Sequence, residues 1–274
     1  MSSPGDSLPP IDLKALRLSP FTPLESESSR KECPKCGRRR KFYCYECAVP
    51  VDTWDGVPYV RPPFDIHLVR HPTEKASKSS VIPLQLICNP DRVPGEDASK
   101  VPRAYLHSAT EDFQPNFDPE STVLLYPGED SKSIEEVDWS KIKRVAVIDC
   151  TWHQTGYMLS HPSLKNLPKV GITSHATNFW RYQHEGPECL ATVEACYLLC
   201  KEQWEAVNDA PYDGRYDNML WYFVYMHRLV ADAHKRRGTK REGRVCKDDG
   251  GPEGKRKVLN RGIPERMLNT YDDQ

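Results

Sequence analysis

The amino-acid sequence predicts an α/β fold: a mostly parallel sheet flanked by helices, preceded by a small cysteine-rich module. Three observations support this prediction. The chain contains short apolar runs rich in β-branched residues, it has segments with apolar residues at helical spacing between and after these runs, and it carries two closely spaced cysteine pairs near its start. Strands that alternate with helices are typical of an α/β domain.

Four apolar runs predict the strands. They are FDIHLV at 64–69, TVLLYP at 122–127, RVAVID at 144–149 and KVGIT at 169–173. Their length and their lack of strict alternation fit strands that are covered on both faces, as in a parallel sheet. A further run, VIPLQLIC at 81–88, fits either a strand or a helix.

Two longer segments predict helices. Between residues 186 and 204, apolar residues recur at offsets of three, four and seven, and Pro187 suits a first helical turn. Residues 218–237 show a similar apolar stripe and end in a basic cluster, which is favourable at the negative end of the helix dipole.

Composition divides the chain of 274 residues into four regions. Residues 1–31 are rich in Ser and Pro and are expected to form a disordered leader. Residues 32–63 are expected to form the cysteine-rich ribbon and a connector, residues 64–237 the main domain, and residues 238–274 a basic tail. No apolar run approaches the roughly 20 residues of a membrane span, and the start of the chain lacks the pattern of a secretory signal. We therefore expect no membrane contact and reduced cysteines, without a disulfide-linked partner.

The cysteine-rich module has the spacing of a zinc site. Cys33, Cys36, Cys44 and Cys47 form C-x2-C-x7-C-x2-C. Each C-x-x-C pair can supply two sulfurs to one tetrahedral Zn²⁺, and four cysteine ligands leave no open position, so the metal would be structural. A disulfide pair or free thiols are the alternative interpretation.

The net charge of -1 excludes a uniformly basic nucleic-acid-binding protein, but basic residues cluster locally. Arg38, Arg39 and Arg40 lie between the cysteine pairs and either contact RNA phosphates or form a solvated loop. The cluster KRRGTKREGR at 235–244 is typical of a nuclear address or of a phosphate contact. We expect the protein in the nucleus, with the cytoplasm as the alternative.

The segment VAVIDCTWHQTG, residues 145–156, places polar residues where a strand ends. Open α/β sheets bind ligands beyond the carboxyl ends of their strands, so Asp149 marks a candidate pocket. The alternative is a strand that ends in a turn, with Asp149 as a turn-stabilising acceptor. Trp152 either stacks on a base or wedges into the core.

Four blocks in series after the cysteine pairs resemble the DTW-domain family, from Cys33 to about Lys235. They are HLVRHPTEKASKSS, LLYPGE, VIDCTWHQTG and FWRYQHEGPECLATVEA. The family signature is matched by residues 149–152, although Cys150 stands where many relatives have glycine. The first block also supplies Ser79 or Ser80, where the family often has threonine. A literal DTW at residues 52–54 lies in the Pro-rich connector, without a strand to present it, and we disregard it.

The resemblance implies a SPOUT-like knotted core that binds S-adenosylmethionine. It further implies transfer of the 3-amino-3-carboxypropyl group of that donor to N3 of a uridine in tRNA. Two alternatives stay open: a SPOUT-like RNA methyltransferase with the same donor, and a zinc-ribbon RNA-binding adaptor without catalysis. The sequence does not reveal whether the chain dimerises, and a monomer is the expectation.

The same resemblance selects the candidate site residues. Asp149 is the candidate base, and Thr151 and Trp152 are expected to contact the substrate. The expected donor-binding residues are Leu125, Tyr126, Pro127, Asp149, Cys150, Arg181, Cys189, Leu190, Thr192 and Glu194. Among these, residues 189–192 are expected to offer free amides at a helix start, and Glu194 either pairs with an ammonium group or caps the helix. The expected RNA-binding residues are Arg70, His71, Lys75, Lys78, Arg38, Arg39 and Arg40.

Overall fold

The computed structural model describes residues 8–180, 186 and 188–236, with the backbone alone for Lys78. The chain forms two compact units. The larger unit consists of residues 16–174 and 191–223 and contains the sheet, the cysteine module and the candidate site. The described residues of the smaller unit are 8–15, 175–180, 186, 188–190 and 224–236.

The N-terminal part of the larger unit contains one short helix and two small hairpins. Their elements are α1 (Thr22–Glu25), β1 (Lys31–Glu32), β2 (Arg39–Arg40), β3 (Tyr43–Cys44) and β4 (Val49–Pro50). β1 pairs with β2 and β3 with β4, both antiparallel. Each hairpin brings one cysteine pair of the module into position.

The segment expected to be a disordered leader differs from that expectation in its described part. Phe21 and Leu24 are buried, and the Phe21 ring stacks on the Trp221 ring with centroids 5.6 Å apart. The Arg17 backbone N–H donates to Asp217 Oδ2 at 2.7 Å. Composition misleads here because a few apolar side chains and backbone groups suffice to anchor a Pro-rich segment to a folded surface.

The remaining elements form an α/β arrangement. They are β5 (Asp65–Arg70), α2 (Ile82–Ile87), β6 (Ala104–Ser108), β7 (Thr122–Leu125), β8 (Arg144–Asp149), α3 (Thr155–Leu159), β9 (Lys169–Val170), α4 (Thr192–Asn208) and α5 (Trp221–Arg236). The strand order is β6-β5-β8-β7-β9, and every pair is parallel. The predicted parallel sheet is confirmed, the ambiguous run at 81–88 contains α2, and β6 is a strand that the sequence pattern did not reveal. The knot stays a prediction.

Both faces of the sheet are covered. On one face, α4 packs against β8, and α2 packs against β6. On the other face, a core cluster contains Val69, Ala109, Phe113, Leu124, Ala146, Met158, Leu164 and Leu167. Because side chains alternate along a strand, the last two residues of β8 face opposite sides: Ile148 packs against this cluster, and Asp149 points to the face of α4. Within the described part of the chain, no helix is long and apolar enough to span a membrane.

Candidate active site

The centre of the site is the carboxylate of Asp149, the last residue of the central strand. Its side chain is buried, with the residue 7% exposed. Oδ2 accepts a hydrogen bond from Ser79 Oγ at 2.7 Å, and Oδ1 accepts one from Thr192 Oγ1 at 2.9 Å. A carboxylate offers about four lone-pair positions, and the described residues occupy two of them. Asp149 is therefore buried among polar partners and not sealed in apolar packing.

The burial of Asp149 changes its acidity. Desolvation raises the pKa of this carboxyl above its ordinary value. The hydroxyls of Ser79 and Thr192 and the positive charge of Arg70 oppose this shift, because each favours the ionised form. The net direction is upward, which brings the group closer to the range in which a carboxylate accepts protons effectively at neutral pH.

Three segments meet at this acid because hydroxyl side chains join them. Ser79 follows a short 3-10 turn at Ala76–Lys78, and Thr192 is the first residue of α4. The neighbouring Ser80 Oγ accepts the Val193 backbone N–H at 3.3 Å. The segment after β5, the end of β8 and the start of α4 are therefore held together at one point.

The start of α4 corrects one expectation. The helix begins at Thr192, so residues 189–191 precede it and do not form its first turn. Ala191 has extended backbone geometry, and its N–H donates to Glu194 Oε2 at 2.8 Å. Of the two roles considered for Glu194, the capping role is therefore the one observed. Cys189 is buried and Leu190 half-buried ahead of the helix, and their contact with a donor stays a prediction.

Arg70 lies beside Asp149, and its guanidinium has a buried nitrogen without a hydrogen-bond partner among the described residues. Parallel pairing aligns Arg70 of β5 with Asp149 of β8, so both side chains emerge on the same face. Arg70 Nη1 is buried and has no hydrogen-bond partner within the described part of the chain. A buried guanidinium N–H without an acceptor is costly, so this position suits an anionic group of a bound molecule.

The residues after Asp149 form a polar network at the surface. The backbone N–H and the hydroxyl of Thr151 both donate to Gln154 Oε1 at 2.8 Å. Gln154 Nε2 donates to Thr73 Oγ1 at 3.0 Å, and this hydroxyl lies 2.9 Å from His71 Nδ1. The network links the loops after β8 and β5 at the edge where both strands end.

Trp152 is 37% exposed, so it does not wedge into the core. Its indole is free to contact a molecule that approaches the Asp149 edge. Exposed aromatic rings are the usual platforms for unpaired bases. Its role as a substrate contact stays a prediction.

The segment 125–127 follows β7, the neighbour of β8 in the sheet. Tyr126 N–H donates to Val170 O at 3.1 Å, and Ser131 Oγ donates to Tyr126 O at 2.7 Å, which fix the turn. Leu125 is buried, Tyr126 half-buried and Pro127 exposed. Because parallel strands end at the same edge of a sheet, this turn lies at the same edge as Asp149.

The remaining predicted residues have different surroundings. Burial, with the nearby carboxylates of Asp149 and Glu74, raises the pKa of Cys150 to about 12, so its thiol is protonated at neutral pH and is a poor nucleophile. Lys75 is exposed at the surface, where it can meet a phosphate. Arg181 and all of the predicted basic tail lie outside the described residues, as does the side chain of Lys78.

The four cysteines of the module converge as the spacing predicts. Their sulfur atoms all lie within 4.8 Å of one another. Sulfurs about 2.3 Å from one tetrahedral zinc lie about 3.8 Å apart, and the Cys36 and Cys44 sulfurs are 3.6 Å apart. The donor set and its geometry fit Zn²⁺. No disulfide joins these four cysteines in the structure.

The basic residues between the cysteine pairs have partners within the ribbon. Arg38 and Arg40 both form ion pairs with Glu46 at 2.8 Å. The Arg40 guanidinium also lies over the Tyr45 ring, and Arg39 donates to Arg30 O at 3.1 Å. These contacts stabilise the ribbon locally, and contact of the three arginines with RNA stays a prediction.

Sequence reasoning did not assign Ser79, Thr73 or Gln154 to the site. Ser79 lies in the first DTW block, so the resemblance pointed to its position without giving a role. Nothing in the sequence pattern singles out Thr73 or Gln154, because short polar residues in loops are common and their bonds depend on how two loops meet.

Comparisons with known proteins agree with this arrangement. The family model of the DTW domain matches residues 30–231. A curated relative from Xenopus laevis, named tRNA-uridine aminocarboxypropyltransferase 1, is 32% identical over 85% of this chain and 92% of its own length. The protein of the same name from Homo sapiens is 26% identical over 80% of this chain and 83% of its own.

A relative from Drosophila melanogaster, named tRNA-uridine aminocarboxypropyltransferase 2, is 31% identical over 60% of this chain and 63% of its own length. No solved structure matches the chain. The family model covers most of the chain, including the cysteine module, the sheet and the Asp149 edge. The chain therefore belongs to the DTW domain family.

Proposed function

We propose that this chain is a tRNA-uridine aminocarboxypropyltransferase, which moves the 3-amino-3-carboxypropyl group of S-adenosylmethionine to N3 of a uridine in tRNA. Its membership of the DTW domain family and the names of its relatives in frog and human support this proposal. The observation that carries it is the buried Asp149, held by Ser79 and Thr192 at the carboxyl edge of the central parallel strand.

Asp149 has the properties of a general base for this reaction. N3 of uridine carries a proton at neutral pH, and that proton must leave as the new bond to carbon forms. The described residues leave lone pairs of Asp149 unoccupied, and its raised pKa favours proton acceptance near neutrality. Ser79 and Thr192 fix the carboxylate so that it does not need to reorganise during the transfer.

S-adenosylmethionine supplies the activated carbon, which leaves its sulfonium sulfur as the bond to the uridine forms. The chain has to bind the anionic carboxylate of the transferred group and orient it, because orientation decides which carbon of the donor reacts. The unsatisfied Nη1 of Arg70, adjacent to Asp149, fits that carboxylate. Thr192 and the turn at 125–127 flank the same edge.

The uridine would approach from the solvent side of the Asp149 edge. Trp152 is the exposed ring nearest to it in the chain and would stack on a base. Thr151, fixed by Gln154, would hold the polypeptide turn that presents this ring.

We also propose that Cys33, Cys36, Cys44 and Cys47 bind one structural Zn²⁺. The convergence of four sulfur atoms supports this site. Elemental analysis of the purified chain should give one zinc per chain, and a Cys44→Ser variant should bind substantially less.

The test of the function is direct. The purified chain is incubated with S-adenosylmethionine and an unmodified tRNA transcript, the RNA is digested, and nucleosides are separated and weighed by mass spectrometry. We expect a uridine that carries the aminocarboxypropyl group, and none with Asp149→Ala. A methylated uridine, or no donor-derived adduct, would refute the proposal.

We propose the nucleus as the compartment, on the basis of the basic cluster at 235–244. The test compares a fluorescent fusion of the full chain with one in which the lysines and arginines of this cluster are replaced by alanine. Nuclear signal should be lost in the second, and equal distribution of both would contradict the proposal.

A further inference from the structure

A second candidate binding site lies on the face of the sheet opposite to Asp149. Two segments enclose an open cleft of about 820 Å³: the loop at residues 111–119, and residues 157–167, which comprise the end of α3 and the loop after it. This volume is within the range of sites that hold small molecules or parts of larger ones. All residues that line the cleft belong to the larger unit.

The cleft combines aromatic walls with uncharged polar groups and one carboxylate, that of Glu111 at its end. Its rings are those of Phe113, Phe117, Tyr157 and His161, and its polar side chains include Gln114, Asn116, Ser160, Ser163 and Asn166. The Phe113 ring lies 5.1 Å from the His107 ring and 5.6 Å from the His161 ring, measured between centroids. The aromatic wall is therefore continuous with the packed face of the sheet.

Hydrogen bonds between and within the loops fix the walls. Ser163 Oγ donates to Phe113 O at 3.2 Å, which joins one loop to the other. Tyr157 Oη donates to Ala109 O at 3.3 Å, although 52% of the tyrosine is exposed. The Ser163 backbone N–H donates to His161 Nδ1 at 3.3 Å, which leaves His161 Nε2 as a hydrogen-bond donor. The rings and the donors are thus held in place before a ligand binds.

This composition selects a planar, uncharged ligand with hydrogen-bonding edges. Flat rings stack on aromatic side chains, and amides and hydroxyls read base edges in single-stranded RNA. No lysine or arginine is among the residues that line the cleft, so a phosphate would find no cation there. Lys165 is exposed beside Asn166 and is available for the backbone of a nucleotide whose base lies inside.

The cleft is connected to the Asp149 edge through His71. The His71 backbone N–H donates to Asp149 O at 3.1 Å. The His71 ring meets the Tyr157 ring edge-to-face, with centroids 4.9 Å apart, and Tyr157 lines the cleft. His71 therefore links the backbone of the candidate base to the ring at the start of the cleft.

We propose that this cleft binds an unpaired RNA base near the uridine that is modified. This inference rests on the proposed function, because it assumes that a uridine reaches the Asp149 edge. A strand that presents one nucleotide to Asp149 would pass His71 and place a neighbouring base against Tyr157.

The experiment measures the binding of a fluorescent, unmodified tRNA transcript to the full chain in the absence of S-adenosylmethionine. Tyr157→Ala should weaken binding about five- to one-hundredfold, the usual effect of removing one stacking ring. Tyr157→Phe keeps the ring and should bind within about twofold of the unchanged chain. Asn116→Asp and Asn166→Asp, which change one wall each without removing volume, should also weaken binding by repelling the RNA.

Val207→Asp is the control for added charge, because Val207 is 56% exposed on α4 and does not line the cleft. Its binding should match that of the unchanged chain. Circular dichroism of each variant separates loss of binding from loss of fold. The inference would be overturned if Tyr157→Ala and both Asn variants bound tRNA as tightly as the unchanged chain does. It would also be overturned if the unchanged chain did not bind tRNA.

A crosslink locates the base. A transcript that contains 4-thiouridine is irradiated with the chain, and the adduct is mapped after cleavage at lysine and arginine. Residues 104–132 fall on one peptide and Asp149 on another, so a crosslink within 111–119 identifies the cleft. Residues 145–165 fall on one peptide that holds both Asp149 and Tyr157, so adducts on it are assigned to single residues by fragmentation. Crosslinks confined to residues outside 111–119 and 157–167 would refute the inference. If the chain binds tRNA through the cleft but transfers nothing, the proposed function fails, and the cleft stands only as a site for an RNA base.

Discussion

Asp149 combines a catalytic position with a structural task, because its two oxygens hold Ser79 and Thr192. Burial makes the ionised form costly, and the hydroxyls recover part of that cost. The same residue therefore lowers stability at the pH at which it would be a useful base. This conflict can be measured.

We predict that Asp149→Asn abolishes transfer without destabilising the chain at neutral pH. Transfer should fall by about 10²-fold or more, since an amide cannot accept the N3 proton. The folded-state pKa of Asp149 is raised, so its contribution to stability is present at pH values below its unfolded pKa and is lost as pH rises through the folded value. The unfolding free energy of the unchanged chain minus that of the variant should thus decrease between pH 4 and 8.

Urea denaturation of both chains across this pH range measures the difference. Asp149→Ala is the comparison that removes volume as well as charge. A difference that grows with pH would mean that the carboxyl is more acidic in the fold than in the unfolded chain, which would contradict this account.

Removing one hydroxyl partner should move the acidity of Asp149 further upward. Ser79→Ala and Thr192→Val each delete a donor that favours the ionised carboxylate. The acidic limb of the pH–rate profile of transfer should shift to higher pH, and each variant should lose about 1.5–3 kcal/mol of stability, as for hydrogen bonds to charged groups. Thr192→Ser keeps the hydroxyl and should leave the limb unchanged. If Thr192→Ser and Thr192→Val shift the limb equally, the hydroxyl is not the cause.

At the scale of elements, the two halves of the cysteine module repeat one turn. The Gly37 N–H donates to Cys33 O, and the Ala48 N–H donates to Cys44 O, both at 2.9 Å. Both residues have positive φ, +69° for Gly37 and +48° for Ala48. Glycine adopts this geometry freely, whereas alanine pays a steric cost.

Exchanges at these two positions should therefore have opposite effects. Gly37→Ala should destabilise the module by about 1 kcal/mol, and since nothing lies within 4 Å of an added Cβ, the cost is one of backbone geometry. Ala48→Gly should be neutral or stabilising by up to about 1 kcal/mol. The chelator concentration that removes half of the bound zinc measures both. If Ala48→Gly lost half of its zinc at a lower chelator concentration than the unchanged chain, the backbone of Ala48 would not be strained.

The strands and helices also show how much of the fold could be predicted from the sequence. The strands at β5, β7, β8 and β9 were predictable because each is a short β-branched run, and the cysteine site was predictable from spacing alone. β6 was not, because its sequence AYLHS has no β-branched residue and its stability comes from pairing with β5. The start of α4 was placed too early because apolar periodicity continues through residues 189 and 190, while the cap by Glu194 fixes the helix start at Thr192.

The site was predictable to a similar extent. Asp149 could be found because it ends an apolar run, and Trp152 because it belongs to a family signature. The partners of Asp149 come from segments 70 and 43 residues away in the chain, and no local pattern encodes such contacts. The cleft of residues 111–119 and 157–167 has no sequence signal at all, since it depends on how two irregular loops close over the sheet.

At the scale of the whole molecule, the segment before the cysteine module contributes to the larger unit. Trp221 Nε1 donates to Ser19 O at 2.9 Å, and the Ser19 N–H donates to Asn218 Oδ1 at 2.8 Å. Together with the buried Phe21 and Leu24, these contacts anchor residues 16–25 beside the start of α5. The family match, which begins at residue 30, does not include them.

We predict that a chain beginning at residue 30 is much less stable than one beginning at residue 16. The shorter chain loses two buried apolar side chains, each contributing about 1.5–3 kcal/mol, and leaves the Asp217 carboxylate without the Arg17 N–H. Thermal unfolding of both chains, followed by circular dichroism, measures the difference. Equal melting temperatures would show that residues 16–29 are dispensable for folding.

The central strand β8 serves two chemical environments through consecutive residues. Ile148 belongs to the aromatic side of the sheet, where the cleft is, and Asp149 belongs to the hydroxyl-lined side. A single inserted residue near the end of this strand would exchange the two, driving a carboxylate into hydrocarbon and an isoleucine into the polar edge. The number of residues in this strand is therefore constrained by both environments at once, because any odd insertion or deletion near its end would exchange them.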